Sequence, residues 1–141
     1  PPFPEPAALL RADPRDLVAC GLSRAKASAM RDLALKVLDG TLPDRDSARK
    51  MSNEELIERL TQVKGIGRWT AEMFLIFTLG RGDVLPAHDY GVRKGYAAAF
   101  GKRKLPTPAQ LEKLGARFSP YRSLLAWYLW RASELDGSKA G

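Results

Sequence analysis

Cysteine and histidine occur once each in this chain of 141 residues, as Cys20 and His88. A single thiol excludes an internal disulfide, a four-cysteine zinc site and a four-cysteine iron–sulfur cluster. One imidazole and one thiol are also too few ligands for a catalytic transition-metal site. The setting Leu17-Val18-Ala19-Cys20 reads as a small buried hydrophobe. No apolar run approaches the roughly 20 residues that cross a bilayer. The opening Pro1-Pro2-Phe3-Pro4-Glu5-Pro6 lacks the basic and apolar regions of a signal peptide, and also an initiator Met. Convincing period-two alternation is missing too, which argues against a sheet.

Positive charge is abundant and unevenly spread. The formal net charge is +7 and the pI is near 9.8. Residues 1–63 carry 10 basic and 10 acidic side chains, whereas residues 64–131 carry 12 and 4. A basic surface alone attracts any polyanion, or simply aids solubility. An excess that starts at a glycine turn and runs past a lone acid points to nucleic acid. The length is one domain's worth of chain, and the 45% hydrophobic fraction is enough for a core.

Helical signals fill the chain. Asp13 before Pro14 reads as an N-cap with proline at the first helical position, opening a short helix that stops near Gly21. Ser23 caps the next, where Ala27, Met30, Ala34, Val37 and Leu38 recur at helical spacing until Gly40. Thr41 to Lys50 is polar and reads as a loop. Ser52 and Glu55 form a capping box ahead of Leu56, Ile57 and Leu60, and Thr107 with Gln110 repeats it. An apolar helix is expected from about Arg68 to Leu79. Asp89 is placed to cap a helix through Val92, Tyr96 and Phe100, and Ser119-Pro120 to open the last one. The expected fold is an all-α bundle of about seven or eight helices in one domain.

Two segments carry the chemistry. Val63-Lys64-Gly65-Ile66-Gly67-Arg68-Trp69-Thr70-Ala71 is a Gly-x-Gly turn opening a helix. Glycines there permit positive φ and let a phosphate reach backbone N–H groups without a Cβ in the way. Lys64 and Arg68 flank that point and add charge. The helices on either side are expected to pack through Leu56, Ile57 and Leu60 against Phe74 and Phe77, with Ile66 plugged between them. Such a turn alone is common in tight helix connections; the flanking bases and apolar helices give it weight. The second segment, Leu85-Pro86-Ala87-His88-Asp89-Tyr90, offers one carboxylate beside an aromatic at a helix start. Taken alone, Asp89 reads more readily as a helix cap than as a reacting group.

The stretch from Leu60 to Ala71 resembles the hairpin of the helix-hairpin-helix DNA glycosylase superfamily, and Leu85 to Tyr90 resembles its catalytic-aspartate segment. Gly21-Leu22-Ser23-Arg24-Ala25-Lys26-Ala27 is similar to the 3-methyladenine DNA glycosylase II branch. So is Ser119-Pro120-Tyr121-Arg122-Ser123, together with Trp127 and Trp130.

The resemblance implies base-excision repair: hydrolysis of the N-glycosidic bond of an alkylated base in double-stranded DNA, leaving an abasic site. It would act in the cytoplasm or nucleoid of a prokaryote, or in the nucleus of a eukaryote. A base made cationic by alkylation and flipped from the stack is a good leaving group. Positive charge then builds on the sugar, and a fixed carboxylate, Asp89, lowers that barrier. Trp69 stands where strand-cleaving members carry a lysine, so no Schiff base can form and the expected enzyme is monofunctional. Trp69, Tyr90 and Trp130 are expected to line the base pocket, an electron-rich ring stacking on a cationic base. Ordinary core packing is the alternative for each of the three, and for Trp127 it is the preferred reading.

Lys64, Gly65, Gly67, Arg68 and Thr70 are the expected DNA contacts. Backbone carbonyls of Thr61, Val63 and Gly65 match positions that hold a monovalent cation, Na+ or K+, and the resemblance implies no other cofactor. Arg93, Lys94, Lys102, Arg103 and Lys104 read more readily as a plain solvated face than as phosphate contacts. His88 stands where the branch often carries a second acid, and reads as surface or pocket rim. Members of the branch have further helices ahead of this region, with a residue that wedges into the duplex. The chain is therefore expected to be a single glycosylase domain over residues 1–141 lacking an upstream part, the pocket being completed by that part or by a second copy. The competing reading is a non-catalytic helix-hairpin-helix module that only holds DNA.

Overall fold

Short polar side chains and prolines set most of the helix starts. The computed structural model describes residues 4–137. It contains α1 (Pro6–Arg11), α2 (Pro14–Ala19), α3 (Arg24–Leu38), α4 (Arg45–Lys50), α5 (Asn53–Leu60), α6 (Arg68–Phe77), α7 (Tyr90–Ala99), α8 (Pro108–Gly115) and α9 (Arg122–Gly137). A single 3-10 turn, Ala116–Phe118, follows α8. Among the described residues there is no strand, so the all-α expectation holds. None of these helices is long and apolar enough to cross a membrane.

The capping expectations hold in detail. Asp13 accepts from the Arg15 N–H at 2.8 Å, and Ser23 from Lys26 at 3.2 Å. Both capping boxes close: the Ser52 and Glu55 side chains each accept from the other's backbone N–H, and Thr107 and Gln110 do the same. Each such cap is worth about 1 kcal/mol. Two helices escaped the periodicity reading. Helix α4 lies in the segment expected to be a loop; it is six residues, RDSARK, with only Ala48 buried, and starts because Asp44 accepts from the Ser47 N–H at 2.7 Å. Helix α1 is equally short, with proline at its first turn and no buried residue. Ser119-Pro120 does not itself open the last helix, which begins at Arg122; the Ser119 hydroxyl donates instead to Asp83.

The chain forms two compact units, Pro1–Ala71 and Glu72–Gly141, the division falling within α6. In the first, α1 and α2 pack on α3. Arg31 on α3 donates to the carbonyls of Leu9 and Ala12, at 3.1 and 2.9 Å, closing the C-terminal end of α1. Ala27 and Ala34 are the buried positions of α3, and Leu56 and Ile57 those of α5. Val37 and Leu38, expected on the inner stripe, lie exposed in the last turn of α3. Cys20 is exposed as well, because α2 is a six-residue helix with no buried face and Cys20 is its C-cap.

In the second unit α7 packs against α9. Leu85, Ala87, Val92, Tyr96, Leu111, Ala126 and Leu129 form a buried core there, with Leu125 and Trp130 against it. The approach is close enough that a Cβ on Gly95 would overlap the Leu129 carbonyl. Trp127, expected in the core, is exposed, since α9 turns Ala126 and Leu129 inward instead. The same shift of face affects α6. Its buried positions are Ala71, Glu72 and Leu75, while Phe74 and Phe77, expected at the packing face, are exposed.

Replacing Gly95 by Ala is expected to destabilise the chain by roughly 1–3 kcal/mol, because backbone rather than a flexible side chain must move. Thermal unfolding monitored by circular dichroism checks this; an unchanged midpoint would show that α7 and α9 have room to spare.

Candidate active site

The turn belongs to the first unit. Helix α5 ends at Thr61, whose hydroxyl donates back to the Ile57 carbonyl at 2.8 Å. Val63 is buried and its carbonyl accepts from the Ile66 N–H at 3.0 Å, which folds the chain back on itself. Gly65 then sits at φ +82°, where any L side chain is strained. Gly67 is different: its φ is not positive, and a Cβ there would meet nothing within 4 Å. Internal sterics thus explain the glycine at 65 but not at 67, where exposed backbone borders open space. The Gly67 carbonyl accepts from Ala71 at 3.1 Å, so the helix dipole of α6 begins at that point.

The two flanking cations are held by their own unit. The Lys64 N–H donates to Asp32 at 2.6 Å and its ammonium to the Ser28 hydroxyl at 3.1 Å, both on α3. Arg68 forks onto Glu54 at 3.1 and 2.9 Å, and that guanidinium holds the Glu54 carboxyl below its ordinary pKa. Trp69 and Thr70 are exposed on the first turn of α6. Ile66 is half-buried.

The acid belongs to the second unit, at the end of a loop held by the first turn of α9. Asp83 accepts from the Arg122 Nε and Nη2 at 2.6 and 2.8 Å, and from the Ser119 hydroxyl at 2.8 Å. The Ser123 hydroxyl donates to the Arg81 carbonyl at 2.6 Å and accepts from the Val84 N–H at 2.9 Å. Its own N–H donates to the Gly82 carbonyl at 3.0 Å. Val84 to Ala87 are then buried, and the chain emerges at His88, which is exposed.

Asp89 caps α7 as expected, its Oδ1 accepting from the Val92 N–H at 2.8 Å. The same oxygen accepts from the indole Nε1–H of Trp130, on α9, at 2.9 Å. Trp130 in turn stacks on Phe77, with ring centroids 5.9 Å apart. A Cβ on Gly91 would stand 3.0 Å from the indole and 3.1 Å from Asp89 Oδ1, so the glycine leaves room for this pair. Tyr90, the first residue of α7, is 65% exposed beside it. The carboxylate is therefore half-buried, fixed at the positive end of a helix, and bordered by aromatic rings. That is a group oriented to meet positive charge developing on a bound ligand.

The structure joins Asp89, Tyr90 and Trp130 in the second unit, and Lys64, Gly65, Gly67, Arg68, Trp69 and Thr70 in the first. Sequence reasoning singled out Trp130 for its ring, not for the N–H that it gives the acid. It did not identify Asp83, Arg122, Ser123 or Gly91 as supports. The available signals were Asp83, the one other acid in the loop that leads to Asp89, and the motif over residues 119–123 that contains Arg122 and Ser123.

The profile of the HhH-GPD superfamily of base excision DNA repair proteins matches residues 2–120. The chain belongs to that superfamily. Among HhH-GPD proteins it is similar to DNA-3-methyladenine glycosylase 1 of Schizosaccharomyces pombe, at 44% identity over 94% of this chain and 58% of the relative. The solved structure of the S. pombe 3-methyladenine DNA glycosylase, in complex with abasic DNA, superimposes with a TM-score of 0.81 over 94% of this chain and 64% of that one. A DNA-3-methyladenine glycosidase of Bacillus halodurans, 33% identical, gives 0.88 over 97% and 63%. The chain thus spans about three fifths of the length of these relatives.

The Arg122 guanidinium foremost, with the Ser119 hydroxyl, lowers the Asp83 carboxyl from 3.8 to about 2. The clamp contributes its full stability above the unfolded value and loses it as pH falls towards 2. Asp83→Asn is expected to cost on the order of 1–2 kcal/mol near neutral pH, and little below about pH 2. Urea titrations across that range check this; the same loss at every pH would show that charge is not what holds the loop.

Proposed function

We propose that this chain is the catalytic portion of a monofunctional DNA glycosylase, which hydrolyses the N-glycosidic bond of alkylated bases of the 3-methyladenine type in double-stranded DNA. The observation that carries the reading is the Asp89 carboxylate, held at a helix N-terminus by the Val92 and Trp130 N–H groups, in a chain 44% identical to a named 3-methyladenine glycosylase.

The proposed chemistry follows from charge. Exposed amides around Gly67 and the positive end of α6 grip a backbone phosphate, and the bare Cα lets it approach closely. As the base departs, its electrons leave with it and the sugar becomes an oxocarbenium-like cation. Asp89 stabilises that cation and orients the water that attacks it, and the water's O–H bond breaks with its proton released to solvent. Its fixed hydrogen bonds mean that little reorganisation is needed when the charge appears. Trp69 offers no amine, so the product is an abasic site and not a cleaved strand. In the second unit Tyr90 and Trp130 offer rings to a cationic base, and in the first Trp69 is an exposed ring of the same kind.

A monovalent cation belongs to the same reading. Neutral carbonyl oxygens of Thr61, Val63 and Gly65 are suitable ligands for Na+ or K+, and the Val63 carbonyl keeps a second lone pair beside its bond to Ile66. Such an ion would add positive charge where the phosphate sits.

Asp89→Asn is expected to lower single-turnover base release from 3-methyladenine DNA by at least about 100-fold, with duplex affinity retained. Alkali-labile breaks after incubation measure it. Salt-sensitive binding with no breaks from either protein would leave a module that only holds DNA. Gly67→Ala separates the grip from the fold: thermal stability should hold, while affinity for DNA falls roughly tenfold, or about 1.4 kcal/mol. Unchanged affinity would place the phosphate elsewhere.

A further inference from the structure

The strongest unopposed charge in the second unit lies away from Asp89. Lys102, Arg103, Lys104 and Lys113 border a groove of about 720 Å³ between the end of α7 and the face of α8, and no acid lines it. Among the described residues none of these four groups meets an acceptor. The other basic residues near the candidate site are engaged: Lys64 with Ser28, Arg68 with Glu54, Arg93 with the Pro106 carbonyl, Lys94 with the Ser133 carbonyl. The lining also includes apolar surface, with Tyr96 beneath and Leu105 and Leu114 each more than a third exposed.

The groove is built into the fold. Gly101, at φ +60°, lets the Lys102 N–H close α7 on the Ala97 carbonyl at 2.8 Å, which directs the basic run outward. At the other side, Arg93 fixes the Pro106 carbonyl at 2.7 Å and the Thr107 capping box starts α8. The basic run is therefore anchored at both ends.

Its position bears on what it binds. Asp89 caps the N-terminal end of α7, and ten helical residues put the groove roughly 15 Å away at the C-terminal end. The N-terminal end of a helix is the one that faces an anionic strand. The groove therefore lies at the opposite end of α7 from Asp89. A sugar–phosphate backbone would use the charges but gain little from Leu105 and Leu114. We infer that this groove docks an acidic segment of a partner protein, with apolar side chains of that segment seated on Leu105 and Leu114.

The test uses a short fluorescein-labelled peptide rich in Glu and Asp with spaced Leu and Phe. Two control peptides replace either the acids by Gln and Asn, or the Leu and Phe by Ser. Fluorescence anisotropy with the whole chain should show binding that both controls lose and that saturating duplex DNA does not displace. The double substitution Lys102→Glu and Lys104→Glu should weaken it by about tenfold or more, and Lys113→Glu, on the exposed side of α8, should weaken it in the same direction. Duplex affinity should be unchanged in both variants. No binding of the acidic peptide would overturn the proposal. So would equal binding of the Ser control, which marks general attraction to polyanions. Displacement by DNA, or loss of duplex affinity in the variants, would assign the groove to a DNA track. These readouts do not depend on base release, so they stand or fall apart from the glycosylase reading.

Discussion

Helices α7 and α9 lie in contact at their backbones because residue 95 has no side chain. That approach places the next residue after Leu129 beside the first turn of α7, and the residue is Trp130. Its indole N–H then reaches the oxygen of Asp89 that the Val92 N–H already holds. A carboxylate at a helix start is normally free to rotate between capping and solvent. Here a second donor from another helix fixes one oxygen, and the spacing of the two helices sets how well it does so. Close packing in the core and orientation of the acid are thus one structural fact.

The loop ahead of Asp89 extends the same logic. A stretch such as Arg81 to His88 has no regular ladder to satisfy its backbone groups, so other partners must be supplied. The start of α9 supplies them through Ser123, which serves Gly82, Arg81 and Val84 with one backbone and one hydroxyl group. Arg122 adds a charged fork on Asp83. Both partners of that pair are about a third exposed, so charge contributes less than the geometry it imposes. Helix α9 consequently positions Asp89 from both sides, through the loop behind it and the indole in front.

At the turn the flanking side chains are engaged and the backbone is open. Lys64 and Arg68 are adjacent to it in sequence, yet Asp32, Ser28 and Glu54 engage them. What faces open space is the Gly67 backbone at the beginning of the α6 dipole. Much of this was legible beforehand. A glycine pair between two helices marks a tight turn, and Asp13, Ser23, Ser52, Asp89 and Thr107 announce their helices because an N-cap acts within three residues. Helices α1 and α4 were not legible, since six residues cannot display a period. Phe74, Phe77 and Trp127 misled for another reason: their hydrophobicity predicts burial somewhere, but nothing in the sequence says which face of a helix meets a neighbour.

The sequence by itself determined the all-α class, the caps, the glycine turn and the identity of the one candidate acid, because each of these is a matter of neighbours along the chain. Only tertiary structure decided that Trp130 would hold that acid through its N–H, that Asp83 and Arg122 would steady its loop, and that Lys102, Arg103, Lys104 and Lys113 would gather around an apolar groove. Those pairings join residues that are up to 41 positions apart. Their formation depends on how closely two helices approach, which is set by side-chain volumes meeting in space and leaves no periodic mark in the sequence.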